Sequence, residues 1–215
     1  MLDLAMLAAL HEKYRDAAAL PVADFALGGL RFDFERHRYL MGVVNLSADS
    51  WYRESVVLNA EAAIRRGRVL HEQGAAIIDV GAESTLAHAA KIDGATQESA
   101  LVPIVKELAA AGICVSVETY HPAVTTACLK AGAKVLNLTG TAGAKEIFRE
   151  VADFEAGVII CFVQGNNVRE VGDLDLGKDP VGTLYEFFAR QIEAATEAGV
   201  SRIWIDPGLG FYYRN

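Results

Sequence analysis

Six short apolar runs, each separated from the next by a longer helical segment, constrain this chain more than any other feature. They are residues 40–46 (LMGVVNL), 75–81 (AAIIDVG), 113–119 (ICVSVET), 134–138 (KVLNL), 158–163 (VIICFV) and 202–207 (RIWIDP). Val and Ile dominate them, and they are largely apolar on both faces, as buried parallel strands are. The segments between them, 60–73, 98–111, 122–131, 145–153 and 180–198, read as helices. They close on Ala-Gly or Gln-Gly, at Gly74, Gly112, Gly132 and Gly199, where a residue with free access to positive φ caps a helix end. Pro122 and Pro180 stand at first turns, where proline is tolerated. The repeat is a βα unit, and repeated right-handed βα units give an open doubly wound sheet or a closed barrel.

The polar residues favour the barrel. Asn45, Asp79, Glu118, Asn137 and Asp206 fall at or near the C-terminal ends of five different runs. A (β/α)8 barrel collects its active-site groups from many strand ends on one rim. An open sheet concentrates them at one or two switch points. The fold expected is therefore α/β, a (β/α)8 TIM barrel of which about six βα units are present. Two strands are then still to be supplied, by a longer polypeptide or by a partner. Residues 1–39 are expected to form an N-terminal helix (3–20) and a short β-ribbon (25–34, with LRFDF) packed on the barrel floor, and residues 40–215 the barrel domain.

Composition limits the partners. The formal charge of −8 argues against a nucleic-acid surface, which needs clustered Lys and Arg. No apolar run is long enough to span a membrane, and the N-terminus lacks the basic start and cleavage site of a signal peptide. Cys114, Cys128 and Cys161 are odd in number and widely spaced, without CxxC or zinc spacing. Buried free thiols in a reducing cytoplasm are the reading.

Five segments carry chemistry. MGVVNLSADSW (41–51) ends a strand on Asn45, whose carboxamide suits a Mg2+ ion or a phosphate-bound water, or caps its own loop. DVGAEST (79–85) offers Ser84 and Thr85 hydroxyls to an oxyanion after a glycine that permits close approach. In SVETY (116–120), Glu118 can accept paired N–H donors from an amino-heterocycle, or serve a helix start. Asn137 in KVLNL both donates and accepts. IDPGLGF (205–211) delivers Asp206 at a Pro-Gly turn.

Taken in order, MGVVNLSADSW, IIDVGAEST, VSVET, VLNL and IDPGLGF resemble the dihydropteroate synthase family of pterin-binding barrels, from about Leu30 to Phe211. The resemblance implies a cytoplasmic transferase of folate biosynthesis, commonly a homodimer. It condenses 4-aminobenzoate with 6-hydroxymethyl-7,8-dihydropterin diphosphate, assisted by Mg2+. Carried over by position, Glu118, Asn137 and Asp206 would bind the pterin, and Asn45 and Thr85 the diphosphate, with Asn45 beside the metal. The chain departs from the family pattern at Ala48 (usually Pro), Leu86-Ala87 (Arg-Pro), Glu118 (Asp) and Leu138 (Asp). It also ends before the family's lysine after strand seven and the Arg/His pair after strand eight. His88 and His121, read as solvated, are weak substitutes, and the loop cations Arg53, Arg169 and Lys178 could compensate only in part. Two alternatives stay open: a catalytically silent or repurposed pterin-binding homologue, and a methyl-tetrahydrofolate corrinoid methyltransferase.

Overall fold

A computed structural model describes residues 3–47, 53–84, 91–169 and 179–208. A two-stranded hairpin, β1 (Phe25–Leu27) and β2 (Leu30–Phe32), precedes six parallel strands. These are β3 (Leu40–Asn45), β4 (Ala75–Gly81), β5 (Val115–Thr119), β6 (Val135–Leu138), β7 (Gly157–Cys161) and β8 (Ile203–Asp206). They are hydrogen-bonded in sequence order from β3 to β8, which is the six-strand, partial (β/α)8 barrel expected. The strands match the predicted runs to within two residues at either end; β4 coincides with its run, and β7 starts one residue earlier.

Alternation along the strands separates two environments. Val44, Ile78, Val80, Val117, Leu136, Leu138, Val158 and Ile160 are buried against the surrounding helices and form the main core. Those helices are α3 (Ala60–Glu72), α4 (Gly94–Ala110), α5 (Pro122–Lys130), α6 (Ala144–Asp153) and α7 (Pro180–Glu197). The intervening strand residues face the lumen, and the polar groups lie among them.

Helix ends follow the sequence signals with two corrections. Gly74, Gly112, Gly132 and Gly199 all take positive φ after α3, α4, α5 and α7. Helix α6 has no such glycine, and Glu155 adopts φ 49° in its place. Helix α4 begins at Gly94 rather than at residue 98, because Asp93 caps it through Thr96 N at 2.9 Å and Thr96 Oγ1 at 2.9 Å.

The hairpin closes the N-terminal end of the lumen. Leu27 and Phe32 cluster with Ile77, Cys114 and Val135. Trp204 meets the rings of Phe25 and Phe32 edge-on, at 4.7 and 5.5 Å. Arg202 Nε donates to Ala26 O at 2.6 Å, tying β8 to the hairpin. The segment expected as one helix over 3–20 breaks at Tyr14 into α1 (Leu4–Lys13) and α2 (Arg15–Ala18). Neither buries a residue, so its apolar side chains Leu4, Met6, Leu7 and Leu10 are exposed rather than packed. No helix among the described residues is long and apolar enough to cross a membrane.

Candidate active site

Strand register assembles the polar groups. Asn45 pairs with Gly81, Gly81 with Glu118, and Glu118 with Asn137, so three adjacent ladders carry one lateral row near the C-terminal rim. Gly81 makes the row possible. A Cβ there would lie 3.0 Å from both Asn45 Oδ1 and Glu118 Oε2, so the two side chains converge over a residue that must have none. Asn45 is oriented from its other end, where Nδ2 donates to Ser55 Oγ at 2.8 Å.

Glu118 stands in an acidic field. Although half-buried by area, it lies deep enough for desolvation to dominate, and Asp79, Glu83 and Asp206 repel its charge as well. Its carboxyl is pushed up to about 8. Asp206 ends β8, opposite Cys161 of β7, and its Oδ1 accepts from Gly208 N at 2.8 Å. Glu118 and Asp206 thus lie at the C-terminal ends of β5 and β8, parallel strands of one sheet three positions apart.

One layer deeper, Asp79 lies two residues inside β4 rather than at its end. It is 3% exposed. Its Oδ2 accepts from Asn137 Nδ2 at 3.1 Å. Ser116 stands beside it in register, fully buried. Burial raises the Asp79 carboxyl above its ordinary range, while the Ser116 hydroxyl and Asn137 amide oppose the rise. Among the described residues, neither Asp79 Oδ1 nor Ser116 Oγ has a hydrogen-bond partner of normal geometry.

Above β5 and β6, the loops form a second feature that sequence reasoning missed. Arg169, expected as a loop cation, is buried with its side chain 2% exposed, and the Glu83 side chain is 8% exposed beside it at 3.5 Å. Arg169 Nη1 also donates to Ser84 O at 2.7 Å. Glu83 accepts from Tyr120 OH at 2.6 Å, Ile92 N at 3.0 Å and Gln97 Nε2 at 3.4 Å. With Glu118, Thr119 and Thr139 these residues line a small cavity. Glu83 sits in a quoted motif and was within reach of the sequence. Arg169 meets Ser84 across 85 positions, and no local pattern signals that contact.

Thr85, His88 and Lys178 lie outside the described residues. His121, read as solvated, is half-buried at the start of α5, and its Nε2 is buried without a partner. Among the described residues no group of three or more His, Cys, Asp or Glu side chains is placed to hold a metal ion. A Mg2+ ion near the rim would find Asn45 Oδ1, which converges with Glu118 Oε2 over Gly81. That fits an ion carried mainly by substrate phosphates. A separate cavity of about 530 Å³ lies at the floor end, lined by Phe32, Tyr39, Met41, Ile77, Ile159 and Trp204. It is apolar and includes none of the candidate site residues.

Comparison with known proteins agrees with this geometry. The family described as pterin binding enzyme matches residues 41–215. A dihydropteroate synthase of Mycobacterium leprae is 31% identical over 175 residues, covering 80% of this chain and 62% of that protein. One from Synechocystis is 29% identical over 194 residues, covering 86% of this chain and 65% of its own. Among solved structures, Burkholderia cenocepacia dihydropteroate synthase complexed with 7,8-dihydropteroate superposes with a TM-score of 0.74 at 29% identity, covering 91% of this chain and 66% of that one. The Yersinia pestis enzyme in a sulfonamide drug complex gives 0.78 at 26% identity, covering 89% and 70%. The chain thus spans just under two thirds of the length of these curated relatives.

Proposed function

Because this chain belongs to the pterin binding enzyme family, we propose that it works as a dihydropteroate synthase-like transferase of folate biosynthesis. It joins 4-aminobenzoate to 6-hydroxymethyl-7,8-dihydropterin diphosphate. The observation that carries this reading is the convergence of Asn45 and Glu118 over Gly81, with Asn137 beside Glu118 and Asp206 at the C-terminal end of β8 in the same sheet. Relatives named dihydropteroate synthase support the reaction class.

In this reading Glu118, Asn137 and Asp206 hold the flat pterin by its polar edge, because carboxylates accept and the carboxamide both accepts and donates. Asn45 and, by its position in the family motif, Thr85 would bind the diphosphate. Asn45 Oδ1 would hold a Mg2+ ion, which when bound would supply positive charge to the leaving group. The methylene C–O bond breaks and its electron pair leaves with diphosphate. The arylamine nitrogen forms the new C–N bond and releases its proton to solvent. What the chain contributes is orientation and a water-poor mouth. The three buried free cysteines support a reducing, cytoplasmic setting. Free small molecules are the partners, with a homodimer as the assembly implied by the resemblance.

A silent or repurposed pterin binder is the second reading, and one observation favours it. Glu118 is pushed up to about 8, so at neutral pH it presents an acid rather than a two-acceptor carboxylate. Diphosphate release separates the two readings. Protein incubated with the pterin diphosphate, 4-aminobenzoate and Mg2+ releases diphosphate in proportion to arylamine if it is a synthase. Binding without release identifies the silent homologue.

A further inference from the structure

The row that contains Asp79 runs Val43, Asp79, Ser116, Val135 across four strands. Its ends are apolar, and its two middle members are polar, buried and short of partners. Packing alone does not ask for a carboxylate here. Asp79 Oδ2 accepts from Asn137 Nδ2, on the far side of β5, and the Ser116 hydroxyl beside it also favours its carboxylate. We propose that Asp79 is the positioning residue that fixes which way round the Asn137 carboxamide faces the lumen, and so which edge of a ring that carboxamide can read.

The argument rests on the asymmetry of the amide. Rotated by half a turn, Asn137 would set its Oδ1 against an Asp79 oxygen, two acceptors in contact. In the observed orientation Nδ2 is committed to Asp79 Oδ2 at 3.1 Å. Oδ1 and the second N–H then remain in a fixed order for an entering ring. A carboxamide free to flip reads donor–acceptor and acceptor–donor edges equally. A locked one rejects the inverted edge, because it leaves polar groups unpaired. Asp79 does this from beneath the rim row without itself having to touch the ring. The inference rests on the pterin reading and deepens it, assigning part of the ring selectivity to a residue outside the proposed contact set.

The test compares two rings of one shape, 6-hydroxymethylpterin (2-amino-4-oxo) and 6-hydroxymethyllumazine (2,4-dioxo), by calorimetry on wild type and Asp79→Asn. Wild type prefers the amino ring, and in Asp79→Asn that preference falls by about tenfold or more, since the amide at position 79 accepts either orientation of Asn137. A folding role alone would weaken both rings by the same factor, and that result, or an unchanged ratio, overturns the proposal. Ser116→Ala, which keeps the carboxylate but removes its neighbouring hydroxyl, is the second variant. It lowers the preference about threefold, and if Asp79→Asn does not fold, an unchanged ratio in Ser116→Ala overturns the proposal. Wild-type protein that binds neither ring overturns the pterin reading itself and this inference with it, an outcome distinct from binding with equal loss.

Discussion

Arg169 and Glu83 form a buried ion pair, 3.5 Å apart, that joins the loop after β4 to the loop after β7. The strands between, β5 and β6, carry Glu118 and Asn137, so the pair spans the part of the rim where the proposed ligand contacts stand. Removing one partner strands the other charge in a low-dielectric setting. Arg169→Met is expected to lower stability by about 3–5 kcal/mol, read by denaturant unfolding. Replacing both, with Glu83→Gln and Arg169→Met, is expected to be less damaging than Arg169→Met alone. An exposed pair would show no such coupling.

Glu118 gives a pH signature. Its carboxyl is raised from the ordinary range to about 8 in the folded chain. Between the unfolded and folded values the native state binds the extra proton, so stability is fully present below about 4.5 and is lost as pH rises through about 8. Glu118→Gln, which carries no titrating group, is expected to flatten that part of the profile in thermal melts from pH 5 to 9. Pterin affinity should move the opposite way in wild type, strengthening as the carboxylate forms.

Gly81 separates site geometry from fold. An added methyl would sit 3.0 Å from Asn45 Oδ1 and Glu118 Oε2, and those side chains must move apart. Gly81→Ala is expected to weaken pterin binding about tenfold or more while the protein stays folded. Calorimetry and a melt on the same sample check both halves.

Glu155 is the non-glycine residue with left-handed φ among the described residues, a conformation that costs about 1–2 kcal/mol for an L-residue. Its carbonyl, which accepts from Arg202 Nη1 at 3.1 Å, survives substitution. Glu155→Gly is expected to raise stability by about 1 kcal/mol, seen as a higher unfolding midpoint.

What the sequence disclosed follows from the range of the interactions. Strand runs, helix stops at Gly74 or Gly199 and the strand-end placement of Asn45, Glu118 and Asp206 are local or periodic signals, and all appear in the fold. The start of α4 was hidden because Gly94 is a poor helix former, and only the Asp93 cap reveals it. Glu155 was hidden because a charged residue there gives no stop signal. The burial of Arg169 and the bond from Asn137 to Asp79 depend on partners 85 and 58 positions away. Only assembly of the parallel sheet brings such pairs together.

The central claim is that the carboxylate of Asp206 and its neighbours at the mouth hold a pterin. Calorimetric titration of 6-hydroxymethyl-7,8-dihydropterin diphosphate into wild type and Asp206→Asn tests it most directly. The account predicts saturable binding to wild type and a loss of about 1.5–3 kcal/mol in Asp206→Asn, the scale of a charge-assisted hydrogen bond. Equal affinities in the two proteins, or no binding to folded wild type, would contradict it.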